Sequence, residues 1–185
     1  MRFTLVYQGE LPPNGNATEK WRIRRAMEPQ LRRLWCSAPF NEAIGKYQDP
    51  TYSPADCYLG RQIDEFEYIP LISDRISLRA EIDLLLLSSS LPGGLLHGGD
   101  IDNRLKTLFD AMSVPASQQQ IPKSASADID KRVFCLLDDD RLVTRLTVSN
   151  DRLLTTKECS REIIALIQVR PIAFRVTFAN ISITS

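Results

Sequence analysis

Histidine is almost missing from this chain. Its single copy, His97, stands beside glycines in 185 residues. No histidine pair can bind a metal, and no Ser/His/Asp or Cys/His arrangement presents itself. The four cysteines, Cys36, Cys57, Cys135 and Cys159, are scattered and form no Cys-x-x-Cys pair. This argues against a structural zinc site and reads as free, buried thiols in a reducing compartment. Net charge is also lacking, with 23 basic residues against 23 acidic ones. No overall positive field draws in nucleic acid, so only a local concentration of charge could do so. Long apolar runs are absent too. Runs such as Leu84–Leu87, Val133–Leu137 and Ile163–Ile167 are far short of the roughly 20 residues that span a bilayer as a helix. Met1–Tyr7 has no apolar core of the signal-peptide kind. The expectation is a cytoplasmic protein with no membrane partner.

What remains is ordinary globular composition, 43% hydrophobic and 25% charged, at a length that suits one domain over 1–185. Phe3–Tyr7 reads as a strand, ended by the breaker-rich Leu11-Pro12-Pro13-Asn14-Gly15-Asn16. Thr18 reads as the cap of a helix over Glu19–Leu34, with Trp21, Ile23, Met27, Leu31 and Leu34 as its apolar stripe. The stretch 36–70, broken by Pro39, Pro50, Pro54 and Pro70, reads as an irregular insertion. Ile76–Leu87 is a strand that enters a core, and Ser88–Gly99 is a loop. Asn103–Met112 is a helix with Leu105, Leu108, Phe109 and Met112 on one face. The polar stretch 113–131 reads as a long mobile loop. Val133–Leu137, Leu142–Val148, Glu162–Val169 and Phe174–Ile183 complete the strands. The fold class is α+β: one domain, a mixed or mainly antiparallel sheet, and two principal helices.

Charge is distributed unevenly. The segment from Lys20 to Arg33 holds Lys20, Arg22, Arg24, Arg25, Arg32 and Arg33 against Glu28 alone, whereas Asp100, Asp102, Asp110 and Asp138–Asp140 gather elsewhere. Asp100 and Asp102 lie at a loop-to-helix junction, where residues two apart in an extended entry point the same way. Asp102 occupies a cap position. Lys106 and Asp110 continue its row at i+4 and i+8. Asp140 shares, by period two, the face of Leu142, Leu146 and Val148, where an unpaired carboxylate would be costly. A divalent cation shared by Asp100, Asp102 and Asp140 resolves that cost, and all-oxygen ligands select Mg²⁺ or Mn²⁺. Lys106 would neutralise charge developing on a phosphoryl group. Taken singly, each piece also reads as a turn, a cap or a solvated helix face.

The run Asp100-Ile101-Asp102-Asn103, then Lys106, then Phe109-Asp110-Ala111-Met112, then Asp139-Asp140 with Val143, resembles the signature of the RusA family of Holliday-junction resolvases. The start of the chain, with Pro12-Pro13-Asn14, is similar to the family's as well. The resemblance implies a homodimeric, Mg²⁺-dependent endonuclease that nicks four-way DNA junctions in recombination and repair. It implies Asp100, Asp102 and Asp140 as metal-site carboxylates and Lys106 as an essential lysine, with Asp102 and Lys106 the catalytic pair. Asn103, Asp110 and Asp139 are secondary candidates. Arg22, Arg24, Arg25, Arg32, Arg33 and Arg104 are candidate nucleic-acid contacts. Two alternatives stay open: a nucleotidyltransferase, and a catalytically inactive relative that keeps the fold to bind DNA or a partner.

Overall fold

The computed structural model describes residues 1–51, 57–89, 101–154 and 162–184. Asp100, His97 and Cys159 lie outside these described residues, as does most of the Ser88–Gly99 loop.

The first helix, α1 (Ala17–Trp35), follows strand β1 (Phe3–Glu10). Its start is fixed by reciprocal hydrogen bonds. Glu19 N–H donates to Asn16 Oδ1 at 3.0 Å, and Asn16 N–H donates to Glu19 Oε2 at 2.7 Å. The cap is therefore Asn16, two residues before the expected Thr18, because the Asn-x-x-Glu spacing satisfies two otherwise unpaired N–H groups at once. Ile23, Met27, Leu31 and Trp35 recur every fourth residue and are all buried. Arg32 and Arg33 sit in the last turn, where positive charge complements the helix dipole.

After α1 come a short helix α2 (Ile44–Gln48) and strands β2 (Arg61–Ile63) and β3 (Phe66–Ile72). The expected irregular insertion thus ends in two strands. Pro70 is tolerated inside β3 because β2 pairs only with Phe66–Tyr68, so on that side the missing N–H costs no ladder bond. Strand β4 (Leu78–Ser88) alternates strictly, with Leu78, Ala80, Ile82, Leu84, Leu86 and Ser88 buried. Helix α3 (Ile101–Met112), strands β5 (Arg132–Leu137), β6 (Val143–Arg152) and β7 (Glu162–Ala173), and a terminal turn of helix, α4 (Ile181–Thr184), follow.

The strands form two sheets, not one. A four-stranded sheet has the order β1-β7-β4-β6, and a three-stranded sheet the order β2-β3-β5. The larger sheet is mixed: β7 runs antiparallel to β1 and β4, while β6 runs parallel to β4. Its inner face, with Leu5, Tyr7, Ile82, Leu84, Ala165 and Ile167, shares one core with Ile23, Met27 and Leu31 of α1 and with Leu108 and Met112 of α3. Each such buried aliphatic side chain stabilises the fold by about 1.5–3 kcal/mol. A second cluster joins Trp21 to Phe66, Tyr68, Val114, Ala125, Val133 and Cys135 on the smaller sheet. The domain is α+β with α1 and α3 as its principal helices.

Two further expectations change. The stretch 113–131 carries two 3-10 turns and is anchored, with Val114 and Ala125 in the second cluster and Trp21 Nε1 donating to Asp128 at 3.2 Å. Phe174–Ile183 is not a strand. The fully buried Asn180 ties this segment into a turn, accepting from Thr177 N–H and donating to the carbonyls of Ile76 and Arg175. Phe174 and Phe178 are left 77% and 97% exposed.

Candidate functional site

Helix α3 begins at Ile101, so Asp102 lies within its first turn and does not cap it. Around the helix, most polar groups are committed. Thr107 Oγ1 donates to Asn103 O at 3.0 Å and accepts the Gly15 N–H at 2.8 Å. Arg104 donates to the Leu11 carbonyl. Asp110 pairs with Lys20 at 2.7 Å, not with Lys106 or Arg104. The segment Leu11–Gly15, which ends β1, is thereby laid along the N-terminal half of α3. A Cβ on Gly15 would meet Thr107 Cγ2 at 2.5 Å, so the close approach requires glycine. Asp102 and Lys106, one turn apart, are both exposed. Neither makes a hydrogen bond or ion pair among the described residues, and they form the uncommitted charged stripe of this helix.

The three aspartates after β5 have separate roles. Asp138 accepts from Arg61 Nη1 at 2.6 Å and from Ser73 Oγ at 2.9 Å, and its N–H donates to Ile72 O. It pins the joint where the chain leaves the smaller sheet for the larger. Asp139 caps the 3-10 turn Asp140–Leu142, accepting from Arg141 N–H at 3.0 Å. Asp140 is exposed on that turn. It is not part of the β6 face as period two implied, because β6 starts only at Val143. Leu137 bridges Ser113, at the C-terminal end of α3, whereas Asp102 is in the first turn of that helix. Among the described residues no three His, Cys, Asp or Glu side chains stand close enough to share a metal ion. Asp102 and Asp140 remain free hard-oxygen donors. A shared ion would also need Asp100, which lies outside the described residues.

The expected nucleic-acid contacts divide. Arg24 is only 3% exposed. It donates to Asp110 O at 2.8 Å and Ser113 O at 2.9 Å and lies over the rings of Trp21 and Tyr68. A guanidinium here satisfies carbonyls at the C-terminal end of α3, where positive charge is favoured. Arg25 pairs with Asp128, and Arg32 with Glu28 and Asp130. Burial alone would raise the Asp130 carboxyl, yet the Arg132 N–H and the Arg32 guanidinium outweigh it and hold it below the usual carboxylate range. Arg22 reaches the Glu10 carbonyl from an exposed position, and Arg33 is exposed, its side chain without a partner among the described residues. The stripe on α1 is therefore largely a structural network. Its acidic partners, Asp128 and Asp130, are about a hundred residues away in sequence, so periodicity alone could not reveal it.

No helix of the described residues is long and apolar enough to cross a membrane. Neither family models, curated proteins nor solved structures show a match to this chain.

Proposed function

We propose that the protein is a Mg²⁺- or Mn²⁺-dependent DNA endonuclease of the RusA kind, cutting branched DNA and above all four-way junctions. The observation that carries this reading is the pair Asp102 and Lys106. They are a carboxylate and an ammonium one turn apart, without a hydrogen bond or ion pair among the described residues, on a helix whose other polar groups are largely committed. Their spacing is that of the signature run from Asp100 to Asp110. Asp100, Asp102 and Asp140 would hold the ion. Bound there, it would polarise a phosphoryl oxygen and lower the pKa of a bound water. Lys106 contributes a point charge for the phosphoryl oxygens. The Leu11–Gly15 segment, fastened through Thr107 and Arg104, gives that helix a fixed border. Two strands of a junction need two active sites, so the reading includes a homodimer in the cytoplasm.

A second reading has one observation in its favour. With Arg24, Arg25 and Arg32 spent internally, α1 presents little free positive charge, which suits a non-catalytic relative that binds a protein partner. Incubating the protein with four-way, branched and linear DNA in Mg²⁺, Mn²⁺ or EDTA separates the two. The nuclease reading expects metal-dependent cuts in the branched substrates, and no cleavage in any metal would overturn it.

A further inference from the structure

The exposed apolar side chains of this fold are not spread evenly. Eight large ones are exposed among the described residues, and four of them, Phe174, Val176, Phe178 and Ile181, fall in one short stretch. Phe174 and Phe178 are the only aromatic rings in that set. Apolar residues exposed singly need no explanation, whereas a concentration of them marks an interaction site.

The stretch is held in place while its rings are left uncovered. Phe174 N–H donates to Ser77 O at 2.9 Å. The Phe178 carbonyl accepts from Lys46 Nζ at 2.9 Å, and the Ala179 carbonyl accepts from the Tyr47 hydroxyl. Asn180 closes the turn between the two anchors. Both rings are thus presented by a fixed backbone, and a ligand that covers them orders little of the chain. One face of Phe174 is taken. The Arg79 guanidinium lies over that ring, 5.3 Å from its centroid, and is itself held by Asp74. The free charge on the stretch is positive. From Ile163 to Ser185 the chain has no Asp or Glu. Arg175 is exposed, and its side chain has no partner among the described residues. Lys46 is bonded to a carbonyl, which leaves its charge without an acid.

We infer that Phe174 and Phe178 form a stacking platform for the unpaired bases of a single-stranded nucleic acid, with Arg175 and Lys46 beside its phosphates. Every base has a face that stacks on an aromatic ring, and the strand that carries it needs cations alongside. An arginine behind the ring adds a cation–π contribution to such a platform. A lipid surface would use the aliphatic side chains and the cations, but it gains nothing from a ring backed by a fixed guanidinium. A paired duplex hides its base faces along its length, so the platform selects unpaired strands. The inference goes beyond the nuclease reading and does not rest on it. A fully paired four-way junction gives these rings nothing to stack on, whereas a flap or a gap does.

Titration of the full chain with a labelled thymidine oligonucleotide about 16 nucleotides long, in EDTA, tests this without reference to cleavage. The wild type should bind it, and a hairpin duplex more weakly. Phe178→Ala should weaken binding at least about fivefold. Phe178→Trp should keep it, with tryptophan fluorescence quenched on binding, since Trp21 and Trp35 are buried. Arg175→Ala should flatten the slope of log affinity against log salt by roughly 0.7. If Phe178→Ala does not fold, Phe178→Trp and Arg175→Ala decide. No binding by the wild type, equal binding by folded Phe178→Ala, or a Phe178 effect seen only on phosphatidylserine vesicles or on self-association would overturn the inference. Oligonucleotide binding that depends on Phe178, in a protein that cuts nothing, would uphold it and overturn the nuclease reading alone.

Discussion

The Gly15 N–H donates to the Thr107 hydroxyl at 2.8 Å across 92 residues of sequence, and this bond holds the end of β1 against α3. The distance leaves no room for a side chain, since a Cβ on Gly15 would fall 2.5 Å from Thr107 Cγ2. Gly15→Ala is therefore expected to destabilise the fold by about 1–3 kcal/mol, the usual cost of forcing a methyl group into packed surroundings. Thr107→Ser keeps the acceptor oxygen and removes the obstructing methyl. In that background most of the penalty should vanish. Denaturant unfolding of the four proteins of this cycle measures the coupling, and additive effects would contradict the account.

Arg24 and Arg33 share a helix and a charge but not a role. Arg24→Met removes two hydrogen bonds to carbonyls at the end of α3 and should cost about 2–4 kcal/mol. Arg33→Ala, on the exposed side, should leave stability within about 0.5 kcal/mol and weaken junction binding instead. Chemical denaturation and binding titrations at several salt concentrations check both. Equal melting of the two variants would be the adverse result.

Much of this was legible in the residues, and the exceptions have physical causes. The β4 alternation and the α3 stripe each come from a single period, and both elements stand where that pattern puts them. The Asn16–Glu19 capping pair was also readable, but Thr18 drew the cap because it stands nearer the apolar stripe. β3 was obscured by Pro70, whose tolerance depends on where β2 ends, a fact of pairing and not of local sequence. Phe174-Arg-Val-Thr-Phe178 alternates like a strand, yet the buried Asn180 amide provides the backbone partners that a strand neighbour would have provided. At the candidate site, the exposure of Lys106 follows from the helix period. The commitment of Asp110 to Lys20 follows only from the packing of α1 beside α3.

The thiols should separate by burial. Cys36 is exposed, while Cys57 and Cys135 are buried. Burial pushes the Cys135 thiol from its ordinary 9.0 up to about 11, against the opposing pull of Arg24. In the native protein at pH 8, iodoacetamide should alkylate Cys36 readily and Cys57 and Cys135 only after denaturant is added. Because the folded state keeps the Cys135 proton where the unfolded chain releases it, this group lowers stability as pH rises above about 9. Peptide mass spectrometry reads the first effect, and melting temperatures between pH 8 and 10 read the second. Rapid native labelling of Cys135 would contradict both.

The most direct test of the central claim is a thermal melt of the wild type, Asp102→Asn and Lys106→Ala, with and without Mg²⁺ or Mn²⁺, alongside cleavage of a four-way junction. A cation that binds only the folded state raises its stability by mass action. The account predicts that the wild type melts higher with the metal and cuts the junction. Asp102→Asn should lose cleavage and most of the metal-dependent gain, yet be as stable as the wild type or more so without metal, since it relieves repulsion between carboxylates. Lys106→Ala should lose cleavage and keep the gain, because lysine does not ligate the ion. Normal cleavage by Asp102→Asn, or a wild-type melt that no divalent ion shifts, would show that these aspartates are only parts of a helix and a turn.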